Sequence, residues 1–421
     1  MKKKKLFFIF LLILVAIIFL NISKIEKILP NSIKKFIPWS FVEYYYEFKN
    51  ASNALKNYNY LYNVLFLPET HFVNLNLNKK KLHFKNKELK NKKIFLSQHS
   101  DTVFFTSDDG EIYFTDVKNL DNIKNIILET KDNNLKKILT TPFQVLDIFS
   151  DNKYFYISIR YSETLNTGQQ NCSKFSILQS EIDSKEKSFQ FKKIFTNQNC
   201  AKYEIVGGRM QKLNEDYLIF SLSDEGNDVI SDNAQTLDNF YGKINYIELK
   251  NFNSGIYSIG HRNPQGLHVH NNKILSTEHG PKGGDEINLI EKDKNYGWPI
   301  SSYGKSYFTK NLNYKKNHEK YGFQEPLFSF VKAIGISELI KIPNNFLHND
   351  DFENLYLISS LFGRSLFLVN FDKDLKKIIF IEKIYIGERI RDLMYLKNQN
   401  AVLLSLENPT QIAILNYKND K

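Results

Sequence analysis

Short β-prone segments bounded by turn residues recur along most of this chain, and nothing else in the sequence constrains its fold as strongly. They include Lys93-Ile-Phe-Leu-Ser, Val103-Phe-Phe-Thr, Tyr154-Phe-Tyr-Ile-Ser-Ile, Tyr217-Leu-Ile-Phe-Ser-Leu, Asn354-Leu-Tyr-Leu-Ile-Ser, Ser365-Leu-Phe-Leu-Val and Ala401-Val-Leu-Leu-Ser-Leu. Polar clusters such as Ser107-Asp-Asp-Gly and Asn370-Phe-Asp-Lys-Asp separate them, and no long helical period interrupts the series. A strand of the form polar, apolar, Tyr/Leu, apolar, Ser/Thr returns roughly every 50 residues, about the size of one four-stranded blade. Over about 350 residues that predicts an all-β, six-bladed propeller, although the repeat alone fits a large sandwich too. Apolar residues at 42% and aromatics at 14% supply a large core and exclude a disordered chain.

The N-terminus has a different texture. Lys2–Lys5 precede an uninterrupted apolar run, Leu6–Leu20, with no small-residue cleavage site after it, which reads as an uncleaved signal anchor over residues 1–23. The lysines then stay cytoplasmic and the rest of the chain lies outside that membrane, in the periplasm of a Gram-negative cell; cleavage would release it as a secreted protein. Residues 24–65, broken by Pro30 and Pro38, read as a connector of short helices, and residues 66–421 as the propeller. In an oxidising compartment Cys172 and Cys200 are either a disulfide or two free thiols, and they lack the histidine spacing of a zinc site. The formal charge of +11 comes from lysines scattered among asparagines and acids, without the basic, aromatic-interleaved stripe that a nucleic-acid face requires.

One region is far more specific. It reads Gly260-His-Arg-Asn-Pro-Gln-Gly-Leu, then Ser276-Thr-Glu-His-Gly-Pro-Lys-Gly-Gly-Asp-Glu-Ile-Asn-Leu-Ile, then Lys294-Asn-Tyr-Gly-Trp-Pro, flanked by Gly207-Gly-Arg and Gly387-Glu-Arg-Ile-Arg-Asp. This combination resembles the glucose/sorbosone dehydrogenase family of pyrroloquinoline quinone (PQQ)-dependent aldose sugar dehydrogenases. The resemblance implies a propeller that oxidises an aldose to its lactone with PQQ and Ca²⁺ and passes electrons to an unidentified acceptor. PQQ is a flat tricarboxylate, so its seat needs planar cations. By resemblance Arg262 and Asn263 touch the cofactor, together with Arg389 and Arg391, whose strand spacing places both side chains on one face. His279 stands beside the expected calcium, which the carbonyls of Gly280 and Pro281 would hold in oxygen-only coordination.

The chain also departs from the family's pattern. The stretch matching the family's catalytic histidine is Gln144-Val-Leu-Asp-Ile-Phe-Ser-Asp, with Phe149 at the histidine's place, and Ile205 stands near a second family histidine before Gly-Gly-Arg. A hydroxyl residue and a lysine near the quinone fall on Ala333 and Phe362. Asp147, sharing a face with Phe149 if the segment is a strand, is a candidate substitute base, with a structural or solvent-facing carboxylate as its alternative; His279, also counted among the cofactor-binding residues, is another candidate. His268 and His270 read as packing or surface residues, and Trp298 as a packed corner. A non-catalytic propeller binding a sugar, a glycan or a protein is the competing expectation.

Overall fold

The computed structural model describes residues 75–80, 92–164, 171–182, 188–201, 206–224, 232–306, 314–347, 352 and 354–417. The expected anchor and connector, and Ile205, lie outside them. The described residues form an all-β propeller of six sheets, five of four strands and one of five. No helix among them is long and apolar enough to cross a membrane.

Each blade starts at the central channel and steps outward through antiparallel hairpins. The innermost strands are Ile94–His99, Phe143–Ser150, Gly207–Lys212, Pro264–His270, Ile336–Lys341 and Arg389–Leu396, in blades 1 to 6. Blade 6 closes the ring: its three C-terminal strands are completed by Leu75–Lys80, which pairs with Gln411–Tyr417 from Leu75↔Tyr417 to Lys80↔Ile412. Blade 1 gains a fifth strand from its neighbour, since Ser188–Gln190, part of the blade 2 sequence, lies parallel to Asn119–Glu129.

Strands such as Asn354–Ser360, Ser365–Phe371 and Ala401–Glu407 are buried at every position. A blade packed on both faces accounts for their continuous apolar sequences, where a half-exposed strand would alternate. Among the described residues the core lies mainly in six interfacial clusters, one between each pair of adjacent blades, with a smaller one around Trp298. One helix stands among the described residues, Asn133–Thr140, capped by Asp132 and rooted by Leu135 in the cluster between blades 1 and 2. Cys172 and Cys200 form a disulfide, with Cα atoms 5.2 Å apart.

The innermost strands share one irregularity. Register shifts interrupt Val145/Asp147, Gly207/Met210, Pro264/Gly266, Ile336/Leu339 and Ile390/Asp392, in blades 2 to 6. A bulge re-aims side chains that an unbroken strand would send up or down its face. Here the re-aimed residues meet in the channel.

Candidate active site

At the axis Arg209 is 4% exposed and draws on all six blades. Its Nη1 lies 2.9 Å from Asp147, 2.9 Å from Glu338 and 3.1 Å from Asp392. Its Nε donates to the Gln265 carbonyl at 2.8 Å, and the Phe95 ring faces its guanidinium at 5.4 Å. Three buried carboxylates thus share one cation. Burial pushes the Asp147 carboxyl up to about 7 and that of Glu338 up to about 8, against the pull of Arg209.

This hub gives Asp147 a different setting from the one expected of a base. Its Oδ1 is held by Arg209 and its Oδ2 accepts the Met210 N–H at 2.8 Å. Phe149, two residues further along the regularly paired part of the same strand (Asp147↔Ser158, Phe149↔Tyr156), packs against Tyr156 (5.9 Å between centroids) in the interior between blades 2 and 3. The shared face expected from strand spacing is present, with Asp147 bound to Arg209 and Met210 and Phe149 in the apolar interior.

The family-like segment builds a small pocket in blade 4, lined by Arg262, Glu278, His279, Gly280, Trp298 and His318 among others. Neither Phe149 nor Phe362 lines it. Arg262 opens the innermost strand's approach, and Glu278 fixes it there by accepting the backbone N–H groups of Arg262 and Asn263. The Arg262 guanidinium lies over the Trp298 ring at 5.3 Å and donates to the carbonyls of His279 (3.1 Å) and Gly280 (2.9 Å). Trp298 is 5% exposed and is itself fixed by Asp224, whose carboxylate accepts its indole N–H at 2.8 Å. The packed corner is therefore also a wall of the cavity.

The Gly280 loop is held tightly. A Cβ at Gly280 would sit 2.3 Å from the carbonyl oxygens of Gly283 and Gly284, so only glycine fits. Asp285 accepts the Gly280 N–H at 3.0 Å with one oxygen and the N–H groups of Ile334 and Ile336 with the other, tying the loop to blade 5.

Arg389 and Arg391, on the innermost strand of blade 6, both reach one carboxylate: Arg389 Nε lies 3.2 Å and Arg391 Nε 2.7 Å from Glu407. The expected common face is present. Arg391 Nη1 then donates to Gln265 Oε1 at 3.4 Å, and Gln265 Nε2 donates to Asn263 Oδ1 at 2.7 Å. A polar bridge thereby links the blade 6 arginines to the blade 4 segment. His279 lies within their field: burial, with Arg262 and Arg391, pushes its imidazole down to about 3, and its Nε2 is a buried atom with no hydrogen-bond partner. Two guanidiniums on one carboxylate, a third on the His279 and Gly280 carbonyls and an unsatisfied neutral imidazole suit a planar anion.

Calcium fits less directly. The Gly280 carbonyl that would hold it already accepts from Arg262. Among the described residues no group of three or more His, Cys, Asp or Glu side chains is placed to hold a metal ion. Glu407 and Gln265 are the residues sequence reading overlooked; Gln265 sits inside the motif, whereas Glu407 is visible only through the hairpin register Arg389↔Glu407. His268 packs edge-on to Tyr356 at 5.5 Å and His270 Nε2 lies 2.7 Å from Lys341 Nζ, both apart from the cavity.

Comparison with known proteins bears on this arrangement. The glucose/sorbosone dehydrogenase family matches residues 84–413. An uncharacterised Synechocystis protein is 29% identical over 287 residues, 63% of this chain and 67% of that one. The Escherichia coli aldose sugar dehydrogenase is 28% identical over 207 residues, 44% of this chain and 53% of its own. The chain thus spans about two thirds and about half of these two relatives. The fold superimposes on the apo soluble aldose sugar dehydrogenase of E. coli with a TM-score of 0.63 at 19% identity, covering 82% of this chain and all of that one. The PQQ-bound Streptomyces coelicolor aldose sugar dehydrogenase gives 0.53 at 16% identity, covering 82% and 99%. With its match spanning most of the chain, this protein belongs to the glucose/sorbosone dehydrogenase family.

Proposed function

We propose that this protein is an exported, membrane-anchored quinoprotein that oxidises an aldose to its lactone with PQQ and hands the electrons to a separate acceptor. One observation carries the reading: arginines from two non-adjacent blades, Arg262 in blade 4 and Arg389 with Arg391 in blade 6, are joined through Gln265 and Asn263 around the buried His279. When bound, the quinone supplies a two-electron hydride acceptor. Arg262, Arg389 and Arg391 would meet its carboxylates and Asn263 its polar edge, while Trp298 provides a flat wall. His279 stays neutral and offers a hydrogen bond without adding charge.

Proton removal is the slow step expected at this site. Phe149 stands where resemblance puts the base and Asp147 is committed to Arg209, so turnover should be slower than with a placed base, on the order of a hundredfold to ten-thousandfold. The same residues favour a second reading, a propeller that holds a sugar, glycan or protein without turnover. Dye reduction by the PQQ-loaded full chain over a panel of aldoses separates the two: slow, sugar-dependent reduction is expected, and retained quinone with no reduction on any sugar would assign the second.

Calcium joins the proposal conditionally. If Arg262 leaves the Gly280 oxygen for a cofactor carboxylate, the Gly280–Pro281 carbonyls open to the ion, so PQQ and Ca²⁺ should each tighten the other's binding. Titrations of Ca²⁺ with and without PQQ check this, and equal affinities would remove calcium from the site. Anchoring by Leu6–Leu20 in the inner membrane, with the propeller in the periplasm, is tested by fractionation and intact mass of the mature chain.

A further inference from the structure

The arginine-bearing mouth extends beyond the residues that the motif supplies. Lys93 immediately precedes the innermost strand of blade 1, and the backbone around it is stitched to blade 6. Thr410 Oγ1 bonds the Lys92 N–H and carbonyl at 2.9 Å each, and Ser405 Oγ donates to the Ile94 carbonyl at 2.7 Å. Lys93 therefore runs alongside the segment that carries Glu407, the shared partner of Arg389 and Arg391. On its other side, Asp108 donates its N–H to the Lys93 carbonyl at 2.9 Å, and the Asp108 carbonyl accepts the Val145 N–H of blade 2, also at 2.9 Å. The next residue back, Gln144, holds Arg160 Nε at 2.9 Å.

An arc across blades 6, 1 and 2 thus carries Arg389, Arg391, Lys93 and Arg160, with Glu407 and Asp108 beside them among the described residues. Lys93 is half-buried, yet its ammonium makes no hydrogen bond or ion pair among the described residues. Burial, then Arg391, lowers its pKa, while Asp108 and Glu407 act the other way from beyond contact. A half-buried ammonium without a partner costs stability unless an anion completes its shell.

We propose that Lys93, flanked by Arg160 and Arg391, forms an anion subsite that binds a carboxylate of the occupant of the mouth. Two sources share that chemistry: a carboxylate of the quinone, which rests on the function proposed above, or that of an acidic sugar, which does not. The full chain in detergent, as wild type, Lys93→Met and Lys93→Arg, is titrated with PQQ and separately with D-glucuronate, with melting curves verifying the fold. Lys93→Met should weaken one probe at least about tenfold and Lys93→Arg should largely restore it. Loss confined to PQQ assigns the cofactor carboxylate, and loss confined to glucuronate the acidic sugar. Lys93-dependent glucuronate binding by a wild type that ignores PQQ would keep the subsite and discard the quinone. Unchanged affinities in Lys93→Met, or no binding of either probe by the wild type, would overturn the proposal. Should Lys93→Met fail to fold, Lys93→Gln provides the same comparison.

Discussion

Charge balance at single residues dominates the interior of this propeller. Among the described residues Arg209 is the one cation paired with Asp147, Glu338 and Asp392, so Arg209→Met leaves buried carboxylates facing each other. Removing one partner of a buried ion cluster costs about 3–5 kcal/mol, and the melting temperature of this variant should fall well below that of surface controls. The hub also sets a pH response. Carboxyls raised in the folded state keep protons that the unfolded chain releases, so stability declines as pH rises from the ordinary carboxylate range through about 7 and 8. The buried His268 and His279 are pushed down, to about 4 and about 3, and act in the opposite sense only below their unfolded value near 6.5. Lys243 and Lys316, pushed down to about 8 by burial, offset part of this decline from about pH 7 upward, so the hub is read by difference: across about pH 7 to 8.5 wild type should lose more stability than Glu338→Gln. Parallel pH profiles for the two in denaturant melts would refute this account. At the mouth, Arg391→Ala removes a charge-assisted contact of about 1.5–3 kcal/mol and should weaken PQQ about tenfold to a hundredfold.

Elements explain which parts of this picture were legible in the sequence. Strands such as Tyr217–Leu222 and Asn354–Ser360 announce themselves because burial on both faces demands continuous apolar runs. Arg262, Asn263, His279 and Gly280 were readable because one contiguous segment carries them all. The role of Asp147 was not, because it depends on Arg209, 62 residues away. The fifth strand of blade 1 escaped for a related reason: three residues, Ser188–Gln190, have no period to read. That strand nonetheless clasps two blades, with Phe189 stacked on Phe155 at 4.6 Å and close to Phe104 at 5.7 Å. Phe189→Ala should cost about 3–5 kcal/mol, read by chemical denaturation; a loss under about 1 kcal/mol would show the clasp to be dispensable.

On the scale of the whole molecule, a ring closed by Leu75–Lys80 on Gln411–Tyr417 fixes six blades around one channel, and the bulged innermost strands turn their polar side chains into it. The fold thereby links the arginines of two non-adjacent blades, 4 and 6, through Gln265 and Asn263. The most direct test of this account is an isothermal titration of the purified apo chain with PQQ, beside the Arg262→Ala and Arg389→Ala/Arg391→Ala variants. Saturable one-to-one binding by wild type, weakened at least about tenfold by either replacement, is the predicted result. Absence of saturable binding, or equal affinity in all three proteins, would contradict a quinone seat between blades 4 and 6.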